Sequence, residues 1–368
     1  MLFDLEETND DLDDLVDATE TEGDDGVFPS AKASSDLYGH LDIEQKLLQM
    51  LDIGRMPHGL VFSGPAGVGK SVMAYRLARF LFTEGERVAD MFGAPEKPSS
   101  LFIADTNPIF SKVASGGHPD LLMIGRPVDP DTGRMKASVP VEEIRRIAPF
   151  MRKTASTRGG WRIVIVDDAD TMTRSSQNSL LKILEEPPEK ALLILITHRA
   201  GALLPTVYSR CVHLPFPPLG DNVVRETLRP RVEASDLDLI VALSEGSLGR
   251  ALDYAHPDNL EVVRQGLSYL EGWPQMKWSQ VQTFADTFGT KGNDDAQRVF
   301  RETFLWMASC VVCGQAHGIP VLERLISNLS LERKLKLYDT LAEHFSRCVG
   351  GNLDKRFMIM GAYMAFEG

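Results

Sequence analysis

Large apolar runs are missing from this 368-residue sequence. No stretch approaches the roughly 18 consecutive apolar residues of a membrane span, and the start lacks the basic-then-apolar order of a secretory signal. These absences lead to the expectation of a cytoplasmic chain with no membrane partner. Cysteine is scarce: Cys211, Cys310, Cys313 and Cys348 are too few and too unevenly placed for a disulfide framework, which fits a reducing compartment. Lysine and arginine are absent from residues 1–31, which carry twelve of the acidic side chains. With the net charge at −13, the remainder of the chain is left at −1. So acidic a segment, poor in large apolar residues, cannot offset its ordering entropy, and residues 1–35 are expected to be a disordered tail.

What is present describes a globular chain. With 43% hydrophobic and 25% charged residues it can bury a substantial core, and its length suits two or three domains. Ile43, Leu47, Leu48 and Leu51 recur at helical spacing within residues 42–51. Short apolar runs then follow at 60–62, 121–124, 163–166 and 192–196, separated by room for helices. Strands alternating with helices argue for an α/β fold with a parallel sheet covered on both faces.

The strongest local signal is Gly64-Pro65-Ala66-Gly67-Val68-Gly69-Lys70-Ser71, a complete phosphate-binding loop between an apolar strand and a helix-compatible run at 72–82. Gly64, Gly67 and Gly69 let backbone N–H groups turn toward phosphate oxygens, and the following helix N-terminus adds its positive dipole end. Lys70 is expected to reach the β and γ phosphates of ATP or ADP, and the Ser71 hydroxyl to ligate Mg²⁺. A second element matches the first. The run 162–166 reads as a buried strand ending in Asp167-Asp168, which places Asp167 at the sheet edge as the acid that holds Mg²⁺ and Asp168 as the acid that orients water. A helix at 175–184 is stopped by Pro187-Pro188. The strand 192–196 then ends at Thr197, whose hydroxyl is expected beside the phosphates. Ser209-Arg210-Cys211 presents one guanidinium just before the apolar run 212–214, as an arginine finger offered to a neighbouring subunit would require.

These residues carry a resemblance. Leu180-Leu181-Lys182-Ile183-Leu184-Glu185-Glu186-Pro187-Pro188, Thr197 and Ser209-Arg210-Cys211 resemble the AAA+ subunits of DNA sliding-clamp loaders. His118-Pro119-Asp120, ahead of a helix expected at 141–151, and Arg55-Met56-Pro57-His58 narrow the likeness to the clamp loader of bacterial DNA polymerase III. It covers roughly residues 36–255. The resemblance implies an AAA+ nucleotide-binding domain at 36–218, a helical lid at 219–262 and an all-α collar for oligomerisation at 263–368. It implies other clamp-loader subunits as partners, motor ATPases and a clamp-opening subunit among them, with the sliding clamp and primer-template DNA reached through the assembly. The subunit that ends the arc is a stator, and its Arg210 would enter the ATP site of the adjacent motor subunit.

Departures from the family pattern bear on activity. Active members place Asp-Glu where this chain has Asp167-Asp168, one methylene short, which weighs against hydrolysis. The lid arginine of motor subunits directly follows Gly-Ser-x, whereas here Gly246-Ser247-Leu248 is followed by Gly249, and Arg250 comes one place late. One residue turns a helical side chain by about 100°. The phosphate loop itself is intact. Many relatives carry a four-cysteine zinc module after the phosphate-loop helix, but residues 83–120 hold no cysteine, so no zinc is expected. Cys310, Cys313 and His317 form a C-x-x-C-x-x-x-H string that lacks a fourth ligand and reads as packed helix.

Arg145, Arg146, Arg152 and Lys153, with Arg158 and Arg162, cluster around the 141–151 helix. They read either as a sequence-independent contact to the DNA backbone or as a solvated helix face. The C-terminal third shows helix-length periodicity at 296–312 and at 322–348, broken near Ser330, and another apolar stretch at 357–364, with no catalytic constellation. Two functions compete. One is an interaction and switch subunit that binds nucleotide and donates Arg210; the other is a motor that hydrolyses ATP with Lys70, Asp167 and Asp168.

Overall fold

The computed structural model describes residues 29–86, 98–129, 133, 135–157, 160–291, 294–351 and 353–367. The disorder expected of the acidic segment falls on residues 1–28, outside the described ones. Residues 29–35 of that expected tail are among the described ones. Ala31–Ala33 form a 3-10 turn, and the carbonyls of Ser34 and Ser35 accept from Arg79 Nη2 at 2.7 Å and Arg76 Nη1 at 2.8 Å. Two buried guanidiniums need acceptors, and this short segment supplies them.

The described chain divides into two compact units, the first ending at Leu219 and the second beginning at Gly220. In the first, helix α1 (Leu41–Asp52) leads to β1 (Gly59–Ser63), followed by α2 (Lys70–Glu86), α3 (Pro108–Ala114), β2 (Leu121–Ile124), α4 (Val141–Arg145), α5 (Ile147–Met151), β3 (Arg162–Val166), α6 (Arg174–Glu185), β4 (Ala191–Thr197), α7 (Pro205–Tyr208) and β5 (Val212–Pro215). The five strands among the described residues are parallel, in the order β2-β3-β4-β1-β5.

Burial follows that order. Every residue of β3 and β4 is buried, while the edge strands β2 and β5 are partly exposed. Alternate residues feed two cores, as the two-residue period requires. Phe62, Ile163, Ile165, Leu192, Ile194 and Ile196 pack with α1 and α2 on one face. Val61, Val164, Val166, Leu193 and Leu195 meet α5 and α6 on the other. Each such fully buried aliphatic side chain contributes roughly 1.5–3 kcal/mol. The sheet is therefore held from both sides, and its carboxyl edge is a rigid platform.

The single helix expected over 141–151 is two short ones, with a turn at Arg146. Pro149 has no N–H to give the carbonyl of Arg145, four residues back, so the helical ladder breaks there. Arg145, Arg146, Arg152 and Lys153 are exposed, and Arg146 pairs with Glu143. Arg162 does not belong to that surface, because it lies in β3 and is 9% exposed. Arg158 lies outside the described residues.

The second unit is helical throughout: α8 (Asp221–Leu228), α9 (Ala234–Ser244), α10 (Leu248–Ala255), α11 (Pro257–Ser268), α12 (Trp278–Lys291), α13 (Asp294–Cys313), α14 (Pro320–Asn328), α15 (Leu331–Gly350) and α16 (Lys355–Met364). Ser330 caps α15 by accepting from the amide of Arg333, which is why the long apolar run breaks there. The core is aromatic. Phe300 and Phe304 lie 4.2 Å apart between ring centroids, Tyr363 meets Phe304 edge-on at 5.1 Å, and the Tyr363 hydroxyl donates to Gly266 O. Arg298 on α13 bridges Asp253 on α10 (2.8 Å) and Glu302 (3.3 Å). Cys310 is buried and Cys313 exposed. Among the described residues no helix is long and apolar enough to cross a membrane.

Candidate nucleotide site

The phosphate-binding loop runs from the end of β1 into α2. The amide of Gly64 donates to Thr197 O at 3.2 Å, which fixes the loop against the end of β4. Gly64 has φ +150°, and a Cβ there would stand 2.1 Å from Phe216 O, so only glycine fits. Gly67 and Gly69 also have positive φ. His40, itself left-handed at φ 56°, donates from Nε2 to the carbonyl of Val68 at 2.9 Å, and its ring lies 4.8 Å from that of Phe216. Burial pushes the His40 pKa down and keeps the imidazole neutral in this role.

Lys70 and Ser71 open α2. The Lys70 ammonium donates to Gly64 O and Pro65 O, each at 2.6 Å, and meets His198 Nδ1 at 3.0 Å. Ser71 Oγ donates to Asp167 Oδ2 at 3.2 Å, joining the phosphate loop to the acidic strand. Asp168 adopts φ 50°, and its amide donates to Asp167 Oδ1. Its carboxylate is held twice, by Arg126 Nε on Oδ2 at 2.9 Å and by His198 Nε2 on Oδ1 at 3.2 Å. Burial pushes the Asp168 carboxyl up, but the His198 hydrogen bond and the Arg126 charge outweigh it and hold the pKa below the usual aspartate range. The backbone amide of His198 is pinned in turn by Asp170 Oδ1 at 3.0 Å.

The structure thus brings Gly64, Gly67, Gly69, Lys70, Ser71, Asp167 and Asp168 together. Thr197 is at the same sheet edge but fully buried, its hydroxyl accepting from the amide of Arg199. It is the next residue, His198, that reaches Lys70. Arg210 is elsewhere, beyond α7. Its guanidinium pairs with Glu185 Oε1 at 2.8 Å and donates to Thr206 O. The neighbouring Cys211 is buried and its thiol is pushed up to about 11. In the second unit Ser247 caps α10, and Arg250 pairs with Glu245 at 2.7 Å.

Sequence reasoning missed His40, Arg126 and His198. The usable signal for the last two is position alone: both stand just past a parallel strand at the carboxyl edge, where open α/β sheets bind ligands.

A phosphate loop after β1, carboxylates after β3 and a strand inserted between the two define a P-loop nucleotide-binding domain of the AAA+ class. Residues 39–220 match the family described as DNA polymerase III, delta subunit. The DNA polymerase III subunit delta' of Pseudomonas aeruginosa is 32% identical over 193 residues, 52% of this chain and 53% of that protein. The Bacillus subtilis subunit delta' is 28% identical over 218 residues, 59% and 60% of the two chains. The gamma/tau subunit of Mycobacterium bovis is 32% identical over 202 residues, 53% of this chain and 30% of that protein. The matches therefore span a little over half the length of these delta' relatives.

Proposed function

We propose that the chain is a delta'-type stator subunit of a DNA polymerase III clamp loader. It binds ATP or ADP with Mg²⁺ at its own phosphate loop and acts chiefly through Arg210, which completes the ATP site of a neighbouring motor subunit while the sliding clamp is loaded on primed DNA. In this reading the first unit is the AAA+ domain, and the helices from Gly220 onward supply lid and collar. Ser71 and Asp167 would hold the metal. Their oxygens converge within hydrogen-bond distance of each other, a donor set suited to a hard divalent cation, which would neutralise phosphate charge. The location that follows is the cytoplasm. The partners are motor subunits and a clamp-opening subunit, with clamp and primer-template DNA met through the assembly. Arg145, Arg146, Arg152 and Lys153 are the exposed cations available for backbone phosphates.

The observation that carries the stator reading is the state of Asp168. A water-orienting carboxylate must be free to aim at the reaction, and here Asp168 is turned toward Arg126 and His198, each of which occupies one acceptor site on one of its oxygens. The motor reading draws on the gamma/tau likeness, equal in identity to the strongest delta' likeness above. Steady-state hydrolysis by the purified chain, measured beside equilibrium binding of a fluorescent ATP analogue, separates the two. Binding that Lys70→Ala abolishes, without turnover, supports the stator. Turnover abolished by the same substitution makes the chain a motor.

A further inference from the structure

His198 stands between the two halves of the site and touches both. An ammonium has only donors, so the contact between Lys70 Nζ and His198 Nδ1 makes Nδ1 the acceptor. The ring proton of the neutral imidazole then sits on Nε2 and is donated to Asp168 Oδ1. The partners of Lys70 named above, two loop carbonyls and one imidazole nitrogen, match its three N–H bonds. A phosphate oxygen that takes a Lys70 proton therefore competes with these acceptors. The carbonyls of Gly64 and Pro65 are main chain of the loop itself, and Gly64 is wedged against Phe216. The imidazole is a side chain that leaves by rotation about its own bonds while its backbone amide stays on Asp170.

We propose that His198 is a positioning residue that competes with bound phosphate for Lys70, so that nucleotide enters by displacing the imidazole from the ammonium. The proposal rests on the nucleotide-site reading above. It gives the sheet edge two arrangements. Without nucleotide, Lys70, His198, Asp168 and Arg126 form one continuous chain of charge-assisted hydrogen bonds. With nucleotide, phosphate takes the ammonium, and the ring with its Asp168 contact is released from it. Occupancy of the phosphate loop is thereby transmitted to the acidic strand through one side chain of β4's end. Binding is weakened by whatever the displaced contacts were worth.

The test uses the full chain and titrates Mg-ADP and a non-hydrolysable Mg-ATP analogue by calorimetry. His198→Phe keeps a flat ring and removes both nitrogens; His198→Asn keeps one acceptor and one donor. Tighter binding by His198→Phe, about tenfold for a lost competitor worth roughly 1.4 kcal/mol, with His198→Asn near wild type, is the expected result. Binding by His198→Phe where the wild type shows none supports the proposal equally. Equal or weaker binding by a folded His198→Phe overturns it and makes the imidazole inert or a ligand of the nucleotide. Absence of binding in wild type and variant alike, with normal melting, defeats the nucleotide-site reading and this proposal with it. A second readout needs no variant. The ¹⁵N shifts of the His198 ring should report an Nε2-protonated tautomer that changes on adding Mg-ADP; ring shifts that stay fixed while nucleotide binds overturn the displacement.

Discussion

The guanidinium of Arg210 is held in cis by Glu185, at 2.8 Å, with the two side chains 37% and 50% exposed. Glu185 is the last residue of α6, and Arg210 follows the short helix α7. Under the stator proposal, the arginine offered to a partner would be oriented by its own subunit until the partner arrives. Because both groups are well solvated, the pair is worth little to the fold.

Glu185→Ala should change unfolding free energy by less than about 1 kcal/mol in urea titration. Arg210→Ala should likewise leave the isolated chain folded, yet reduce the clamp- and DNA-stimulated ATPase of a reconstituted loader by about 10³-fold or more, the scale of other arginine fingers. Undiminished turnover with Arg210→Ala would end the stator role.

Gly64→Ala should cost more than about 2 kcal/mol. The added Cβ meets the carbonyl oxygen of Phe216 at 2.1 Å, on a backbone at φ +150°, and neither the strand end nor the loop can yield cheaply. Nucleotide titration should show binding lost with it. A variant of wild-type stability would mean that the turn after β1 is more compliant than its packing implies.

Asp168 gives acid sensitivity of a definite sign. Its carboxyl is raised by burial but lowered further by His198 and Arg126, so the folded pKa lies below the unfolded one of about 4. The stabilisation is fully present above the unfolded value and is lost as pH falls through the folded one. The stability difference between wild type and Asp168→Asn, from urea melts at several pH values, should shrink as pH drops below about 4. A difference independent of pH in that range would show that the ion pair with Arg126 contributes nothing.

In the helical unit, Arg298 is the bridge between Asp253 and Glu302, and the Tyr254 hydroxyl donates to the same Glu302. Arg298→Ala leaves two carboxylates near one another without their cation and should cost about 3–5 kcal/mol by urea unfolding. Loss of under about 1 kcal/mol would mean that water replaces the guanidinium.

Thiol labelling separates the four cysteines. Burial pushes Cys211 up to about 11; burial, with the charges of Glu245 and Cys313, pushes Cys310 up to about 12; and Cys348 is raised by burial as well. Iodoacetamide at roughly pH 8 should place its first adduct on exposed Cys313, read by peptide mass mapping. Early modification of Cys211 would show that the segment around Arg210 opens.

Much of the first unit was legible because its signals are local and mutually consistent. The apolar runs became β1 to β5 within a residue or two, and the phosphate loop sits where strand and helix flank it. Pro149 was legible too, yet the periodicity of Ile144, Ile147 and Met151 concealed the break it makes in the 141–151 helix. His198 and Arg126 could not be read, because the link from Lys70 to Asp168 joins residues about a hundred positions apart through a strand order that no local pattern encodes. Thr197 drew attention for its hydroxyl, while the neighbouring imidazole holds the contact.

The place of β4 sets a length. With one strand between β1 and β3, the phosphate loop and the acidic turn stand two strand spacings apart, about 10 Å, a distance fixed by backbone hydrogen bonding and not by side-chain choice. The sheet serves as a ruler whose two marks are joined by the side chains that span them, Ser71 to Asp167 directly and His198 from the tip of β4. Substitutions in the core can loosen or stiffen this unit, but they cannot retune the separation without unpairing a strand. Change in how the two halves communicate is therefore confined to the few side chains that cross the gap.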